Sequence, residues 1–214
     1  MFFIRFILPI IICLLFINNS YAQCSRIITA ALSAQLNCEN TQTLTVNSGV
    51  TLNFGGDSVV QGSDTEGVAI VNNGTITNDG YGFQAPIDGS AARNFTVTNN
   101  GTITATKRYG IYIENAEQVI IRNNAGATIQ TDYNSTPAQE QGAIYGNKIG
   151  NCDSGDCYNS SDSNGGAGLT LHNYGTITSR YRTIWAGNSD STFSKNIKIY
   201  NYDGGSITSE TSAT

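Results

Sequence analysis

Apolar and polar residues alternate along this chain in short stretches that return at nearly regular intervals. Each stretch reads apolar-x-apolar-x-Asn, then a turn with glycine, then a second short stretch around Ile. The clear copies occupy 68–77, 95–104 and 169–178, and looser copies occupy 44–52, 119–130 and 197–208. Alternation with a period of two, carried by Val, Ile and Thr, is typical of strands with one buried face. Each copy therefore predicts two short strands joined by a turn.

The spacing of these copies predicts the fold. Their glycines are Gly49, Gly74, Gly101, Gly126, Gly175 and Gly205. A third apolar patch follows several copies, at 81–83, 110–113, 142–145 and 183–186. Three short strands in about 25 residues fit one coil of a solenoid, whose stacked coils share one core. We predict an all-β, single-stranded right-handed parallel β-helix of about six coils over 44–214.

Counting from each glycine places like residues at like positions in successive coils. One inward column is Ile76, Ile103, Ile177 and Ile207, with Ile129 joining after a shift of one residue. An asparagine closes the first strand of five copies, at Asn72, Asn99, Asn123, Asn173 and Asn201. A single Asn here is an ordinary turn residue. Stacked amides can bond to one another, and an unpaired buried amide is costly. We predict an internal Asn ladder, with exposed bends as the alternative; both roles are structural.

One interval between glycines is about one coil too long. Its surplus, at about 150–168, is polar, rich in glycine and without periodicity. Such insertions in solenoids form loops that leave one face. We therefore expect a loop excursion at this point.

The first residues have the pattern of a targeting segment. Arg5 precedes the apolar run 6–17, and Ala22 provides a small residue for cleavage. This pattern predicts a signal peptide over 1–22, with an apolar run too short to span a membrane. The mature chain is expected to be exported through the inner membrane, to the cell surface, the outer membrane or the medium, without spanning a membrane itself.

Four cysteines remain after the signal peptide, as two local pairs: Cys24 with Cys38, and Cys152 with Cys157. An even count in an exported chain indicates disulfides, although four cysteines permit three connectivities. The first pair encloses most of the segment 23–43, which is apolar and rich in alanine. Because a solenoid has an unpaired edge at each end, we expect this segment to form a disulfide-closed N-terminal cap.

The charge balance excludes one class of partner. The chain has 11 Lys and Arg against 16 Asp and Glu, for a net charge of −5, and it contains no basic cluster. Nucleic acid is therefore not expected as a partner. Charged residues make up 13% of the chain, against about 25% in average proteins. Thr, Ser, Asn and Gly take their place, as on extracellular β-solenoids.

The sequence contains no recognisable catalytic motif. His172 is the only histidine, and alternation places it on the outer face. Ser154 lies in the insert without the glycine that precedes a protease nucleophile. The paired carboxylates of glycoside hydrolysis are not recognisable. Three insert aspartates match no calcium loop: Asp153, Asp156 and Asp162. We predict no enzyme, no cofactor and no metal, and a solvated acidic loop.

Aromatic residues concentrate in the later half of the chain. Tyr174, Tyr200, Tyr202 and Trp185 form a candidate binding stripe. Their rings could stack on sugar rings or on protein partners. The alternative is that aromatic residues are simply frequent in strands.

The repeats Asn-Asn-Gly-Thr-Ile-Thr at 72–77 and 99–104, with Asn-Tyr-Gly-Thr-Ile-Thr at 173–178, resemble those of autotransporter passenger regions. The resemblance covers roughly 44–208. It implies a right-handed β-helix displayed outside the outer membrane of Gram-negative bacteria and acting in adhesion. It also implies a longer β-helix and a C-terminal translocator barrel, so that this chain would be an N-terminal fragment.

The resemblance leaves the partner open, as a protein or glycan on a host or neighbouring cell. Two other functions remain as alternatives. The first is a β-helical polysaccharide lyase or hydrolase. The second is a purely structural surface or matrix protein.

Overall fold

A computed structural model describes residues 22–55, 58–78, 85–131, 142–150, 168–186 and 196–210. These residues form twenty β-strands and no helix. In chain order the strands are β1 (Ala22–Gln23), β2 (Arg26–Ile28), β3 (Leu36–Asn37), β4 (Thr43–Val46), β5 (Thr51–Asn53), β6 (Val60–Gln61), β7 (Ala69–Asn72), β8 (Thr75–Asn78), β9 (Ile87–Asp88), β10 (Thr96–Asn99), β11 (Thr102–Ala105), β12 (Tyr109–Glu114), β13 (Val119–Asn123), β14 (Thr128–Thr131), β15 (Gly142–Asn147), β16 (Leu169–Asn173), β17 (Thr176–Ser179), β18 (Arg182–Ala186), β19 (Lys198–Asn201) and β20 (Ser206–Ser209).

The strands stack into three parallel sheets, one for each side of a coil. Sheet A has the order β1-β3-β6-β9-β12-β15-β18, sheet B the order β2-β4-β7-β10-β13-β16-β19, and sheet C the order β5-β8-β11-β14-β17-β20. A coil runs through sheets B, C and A in turn, as β7, β8 and β9 do. Strands that are neighbours in a sheet come from successive coils, which confirms the predicted parallel β-helix.

Three inward columns whose members pair in register form the centre of the core, and further buried side chains such as Val68, Phe95 and Val119 pack beside them. Sheet B contributes Leu44, Ile70, Val97, Ile121, Leu171 and Ile199. Sheet C contributes Leu52, Ile76, Ile103, Ile129, Ile177 and Ile207. Sheet A contributes Leu36, Val60, Ile87, Ile111, Ile144 and Ile184. Most are fully buried, and each such side chain stabilises the fold by about 1.5–3 kcal/mol.

The corner between sheets B and C explains why Ile129 joins its column only after a shift of one residue. Where the turn is short, the glycine is required by close packing: a Cβ on Gly101 would collide with the carbonyl oxygen of Gly74. Gly49 and Gly126 instead lie in longer turns with φ of 75° and 80°. In these two turns one further residue follows the glycine before sheet C begins, which confirms the shift predicted at Ile129 and adds the same shift at Gly49. The corner position of Gly74 is taken by Val50 and Ala127 in those two coils, as the hydrogen bonds of the next coil show.

The segment predicted as a cap contributes to all three sides of the solenoid. Its strands β2 and β3 join sheets B and A, and a bridge between Leu32 and Leu52 reaches sheet C. The predicted Cys24–Cys38 disulfide is present. Cys152 and Cys157 lie outside the described residues, as do most of the predicted loop excursion and nearly all of the predicted signal peptide.

Candidate functional site

The five repeated asparagines form one chain of hydrogen bonds at the corner between sheets B and C. Each Nδ2 donates to the Oδ1 of the next residue at 2.7–2.9 Å, in the order Asn72, Asn99, Asn123, Asn173 and Asn201. The first four are fully buried, whereas Asn201 is exposed. The same Nδ2 groups also donate to sheet C carbonyls, as Asn99 does to Thr128 at 3.0 Å. These amides are occupied in joining two sheets, so we assign them no ligand.

A second column runs along the outside of the same corner and changes character along the solenoid. Asn100 donates to Asn73 at 2.8 Å, and Asn124 donates to Asn100 at 2.5 Å. In the next two coils this position holds Tyr174 and Tyr202, as the backbone hydrogen bonds show. The two tyrosine rings stack 4.1 Å apart and 3° from parallel. The column therefore passes from bonded amides to stacked rings.

His172 and Tyr200 extend this ring cluster across the outer face of sheet B. The two residues are neighbours in register, with ring centroids 5.2 Å apart. His172 Nδ1 lies 2.9 Å from the hydroxyl of Tyr202. Burial, followed by the charge of Arg122, lowers the pKa of His172. Tyr200 is 44% exposed and Tyr202 36%. We call Tyr174, His172, Tyr200 and Tyr202 the sheet B ring cluster.

Trp185 lies apart from the other three residues of the candidate stripe. It belongs to sheet A, where it pairs in register with Tyr145, which pairs with Tyr112. Tyr112 and Tyr145 stack at 5.0 Å, and Trp185 meets Tyr145 edge-on at 5.1 Å. The guanidinium of Arg182 lies 4.1 Å from the Trp185 ring centroid. The four predicted residues therefore belong to two ring clusters.

Two carboxylates flank the sheet A rings. Burial raises the pKa of Asp88, which accepts hydrogen bonds from the backbone N and the hydroxyl of Ser90 at 2.9 and 2.7 Å. Glu114 accepts from the hydroxyl of Tyr112 at 2.5 Å and from Asn147 at 2.8 Å. Burial and this bond to Glu114 raise the pKa of Tyr112. Both carboxylates thus position neighbouring groups.

The outer face of sheet C is made mostly of threonine. Its first column is Thr51, Thr75, Thr102, Thr128, Thr176 and Ser206, and its second is Asn53, Thr77, Thr104, Gln130, Thr178 and Thr208. We call these two columns the threonine array. The sequence-based prediction named only the inward Ile of each Thr-Ile-Thr repeat, although alternation places the flanking threonines on the outer face.

Within the described ranges no three His, Cys, Asp or Glu residues come together in a way that could hold a metal. The same ranges contain no helix long and apolar enough to cross a membrane. Ser154 and the three insert aspartates lie outside them. The chain matches no family model, no curated protein and no solved structure.

Proposed function

We propose that the protein is an exported surface solenoid that binds a partner through outward aromatic rings and catalyses no reaction. The observation that carries this proposal is the change along the outer corner from Asn73, Asn100 and Asn124 to Tyr174 and Tyr202. The first residue of the corner donates the same backbone hydrogen bond to the preceding coil in each case, whether the turn after it is short or long, so packing inside the solenoid does not require rings at this position.

The sheet B ring cluster has the chemistry of a recognition surface. Tyr200 and Tyr202 are among the few large apolar side chains exposed in the described residues. A tyrosine combines an apolar ring face with a hydroxyl, and such residues are enriched where proteins bind partners. Neighbouring Lys198 and Arg122 provide positive charge at positions in register with Thr170 and His172. These features favour a glycan or protein on a host or neighbouring cell as the partner.

The autotransporter resemblance supports the same proposal from the sequence. The repeats at 72–77, 99–104 and 173–178 resemble those of passenger regions, and the predicted signal peptide would direct export. We propose that the chain is part of a passenger region. The DNA that follows codon 214 tests this part. An in-frame translocator supports it, whereas a stop codon with no translocator gene nearby contradicts it.

A binding experiment tests the role of the rings. The full chain is probed on a glycan array and on intact epithelial and bacterial cells. Replacing Tyr200 and Tyr202 by Ala should abolish binding. Asn100→Ala, in the same corner column two coils before Tyr174, is the matched control and should bind normally. Circular dichroism checks that both variants fold. Unchanged binding by the double variant, or none by the native chain, contradicts the proposal.

A further inference from the structure

The threonine array forms a regular lattice on the outer face of sheet C. Neighbours in a column are paired in register through six strands, which places them about 4.8 Å apart. The two columns are separated by two residues along each strand, or about 6.7 Å. The array contains no charged side chain and no large apolar one.

Most side chains of this lattice are also rigid; Asn53, Gln130 and Ser206 are the exceptions. Threonine is branched at Cβ, so its rotamers are restricted before anything binds. Each threonine presents one methyl and one hydroxyl group. Within the array, hydrogen bonds between side chains join Gln130 to Thr104 at 3.3 Å and Thr208 to Thr178 at 3.4 Å. The surface is thus a fixed pattern of methyls and hydroxyls that loses little entropy on binding.

The solenoid itself does not require this uniformity. Sheet B has the same parallel, in-register backbone, yet one of its outer columns holds Val71, Thr98, Arg122, His172 and Tyr200. Strand propensity alone would act equally on both sheets. A face of this regularity would suit a ligand that is itself regular in two dimensions.

We propose that the threonine array binds ice. In hexagonal ice, oxygen atoms repeat along perpendicular surface directions with lengths similar to those of the array. Hydroxyl oxygens at these positions can occupy the positions of water oxygens in the ice lattice, and the methyl groups between them exclude disordered solvent. A charged side chain would impose its own hydration instead, and the array has none. This inference concerns a different sheet from the proposed adhesive surface and does not depend on it.

Freezing experiments on the full chain test this proposal. Thermal hysteresis and crystal shape are measured by cryomicroscopy. The native chain should lower the freezing point below the melting point and produce faceted crystals. Thr102→Tyr places a bulky ring in the middle of the array and should abolish both effects. Thr98→Tyr makes the same change on the outer face of sheet B, in the same coil, and should leave them intact.

A second variant should improve the regularity of the array, whereas Thr102→Tyr disrupts it. Gln130 interrupts the second column between Thr104 and Thr178. Gln130→Thr should increase the hysteresis, because it makes the column of threonines continuous from Thr77 to Thr208. Circular dichroism and sedimentation of all variants check their fold and oligomeric state. The proposal is overturned if the native chain does not affect ice growth, or if Thr98→Tyr is as damaging as Thr102→Tyr. It is also overturned if Thr102→Tyr only dissociates a dimer held through this face.

Discussion

Sheets B and C share one backbone geometry but differ on their outer faces. Inside, sheet B presents an in-register column of Leu, Ile and Val, and sheet C presents one of Leu and Ile. Outside, sheet B varies from Thr98 to Tyr200, whereas sheet C has threonine at all positions except Asn53, Gln130 and Ser206. Packing restricts the inner columns to apolar residues, because a coil buries them against the coils on either side. The outer columns are free of this restriction, so function is best sought in their differences.

The largest expected loss of stability is at the buried isoleucines, and it tests whether the inner columns of sheets B and C are equivalent. Ile121 in sheet B and Ile129 in sheet C are both fully buried. Replacing either by Ala should lower the free energy of unfolding by about 2–5 kcal/mol. The outward controls, Thr98→Ala and Thr102→Ala, should change it by less than about 0.5 kcal/mol. Urea denaturation followed by circular dichroism measures all four. A small effect at only one isoleucine would break the equivalence of the sheets.

A smaller loss of stability is expected at the Asn ladder, which joins sheets B and C. Asn123→Ala removes the acceptor of Asn99 Nδ2 and the donor to Asn173 Oδ1. Leaving buried polar groups without a partner costs about 1–3 kcal/mol. The adjacent Asn124 is half-buried on the outside of the corner, and Asn124→Ala should have a much smaller effect. The same urea denaturation experiment measures the free energy of unfolding of both variants. Equal effects of the two variants would show that the buried ladder does not stabilise this corner.

Sheet A differs from both, because it contains an outward-facing side chain that is nevertheless buried. Asp88 faces outward in sheet A yet is only 3% exposed, and burial raises its pKa above the ordinary 3.8. A carboxyl with a raised folded pKa favours the folded state below 3.8, and this contribution is lost as pH rises through the folded pKa. Asp88→Asn should therefore unfold at a higher temperature at pH 7 and depend less on pH. A lower melting temperature at pH 7 would contradict the burial.

The inner architecture was largely predictable, because one side chain in every coil must meet its equivalent in the next. Ile76, Ile103 and Ile177 stack as their repeat indicates. The turns were less predictable. The shift at Ile129 indicated that the turn at Gly126 differs from that at Gly101, but the motif did not reveal the positive φ of Gly126. Non-glycine residues also adopt positive φ at corners between sheets A and B, among them Ala91 and Gln118. Neither residue type favours that conformation.

The candidate site was predicted only in part. Tyr174 and Tyr202 each directly follow the repeated Asn, at Asn173 and Asn201, so the repeat places them together. Trp185 belongs to the third strand of its coil, whose motif is weak, and its register with Tyr145 became visible only in the structure. The threonine array could also have been predicted from the repeat, because alternation places the threonines on either side of each inward Ile on the outer face. Only the inward Ile was predicted.

Electron paramagnetic resonance on spin-labelled variants tests the in-register stacking most directly. One variant is labelled at positions 51 and 128, and the other at 75 and 176, which span the long interval. Both pairs are three strands apart in sheet C. Both backbone separations should therefore be about 14 Å. If the insert formed a further coil, the second pair would be about 5 Å more distant. Unequal separations of that size would contradict the stacking.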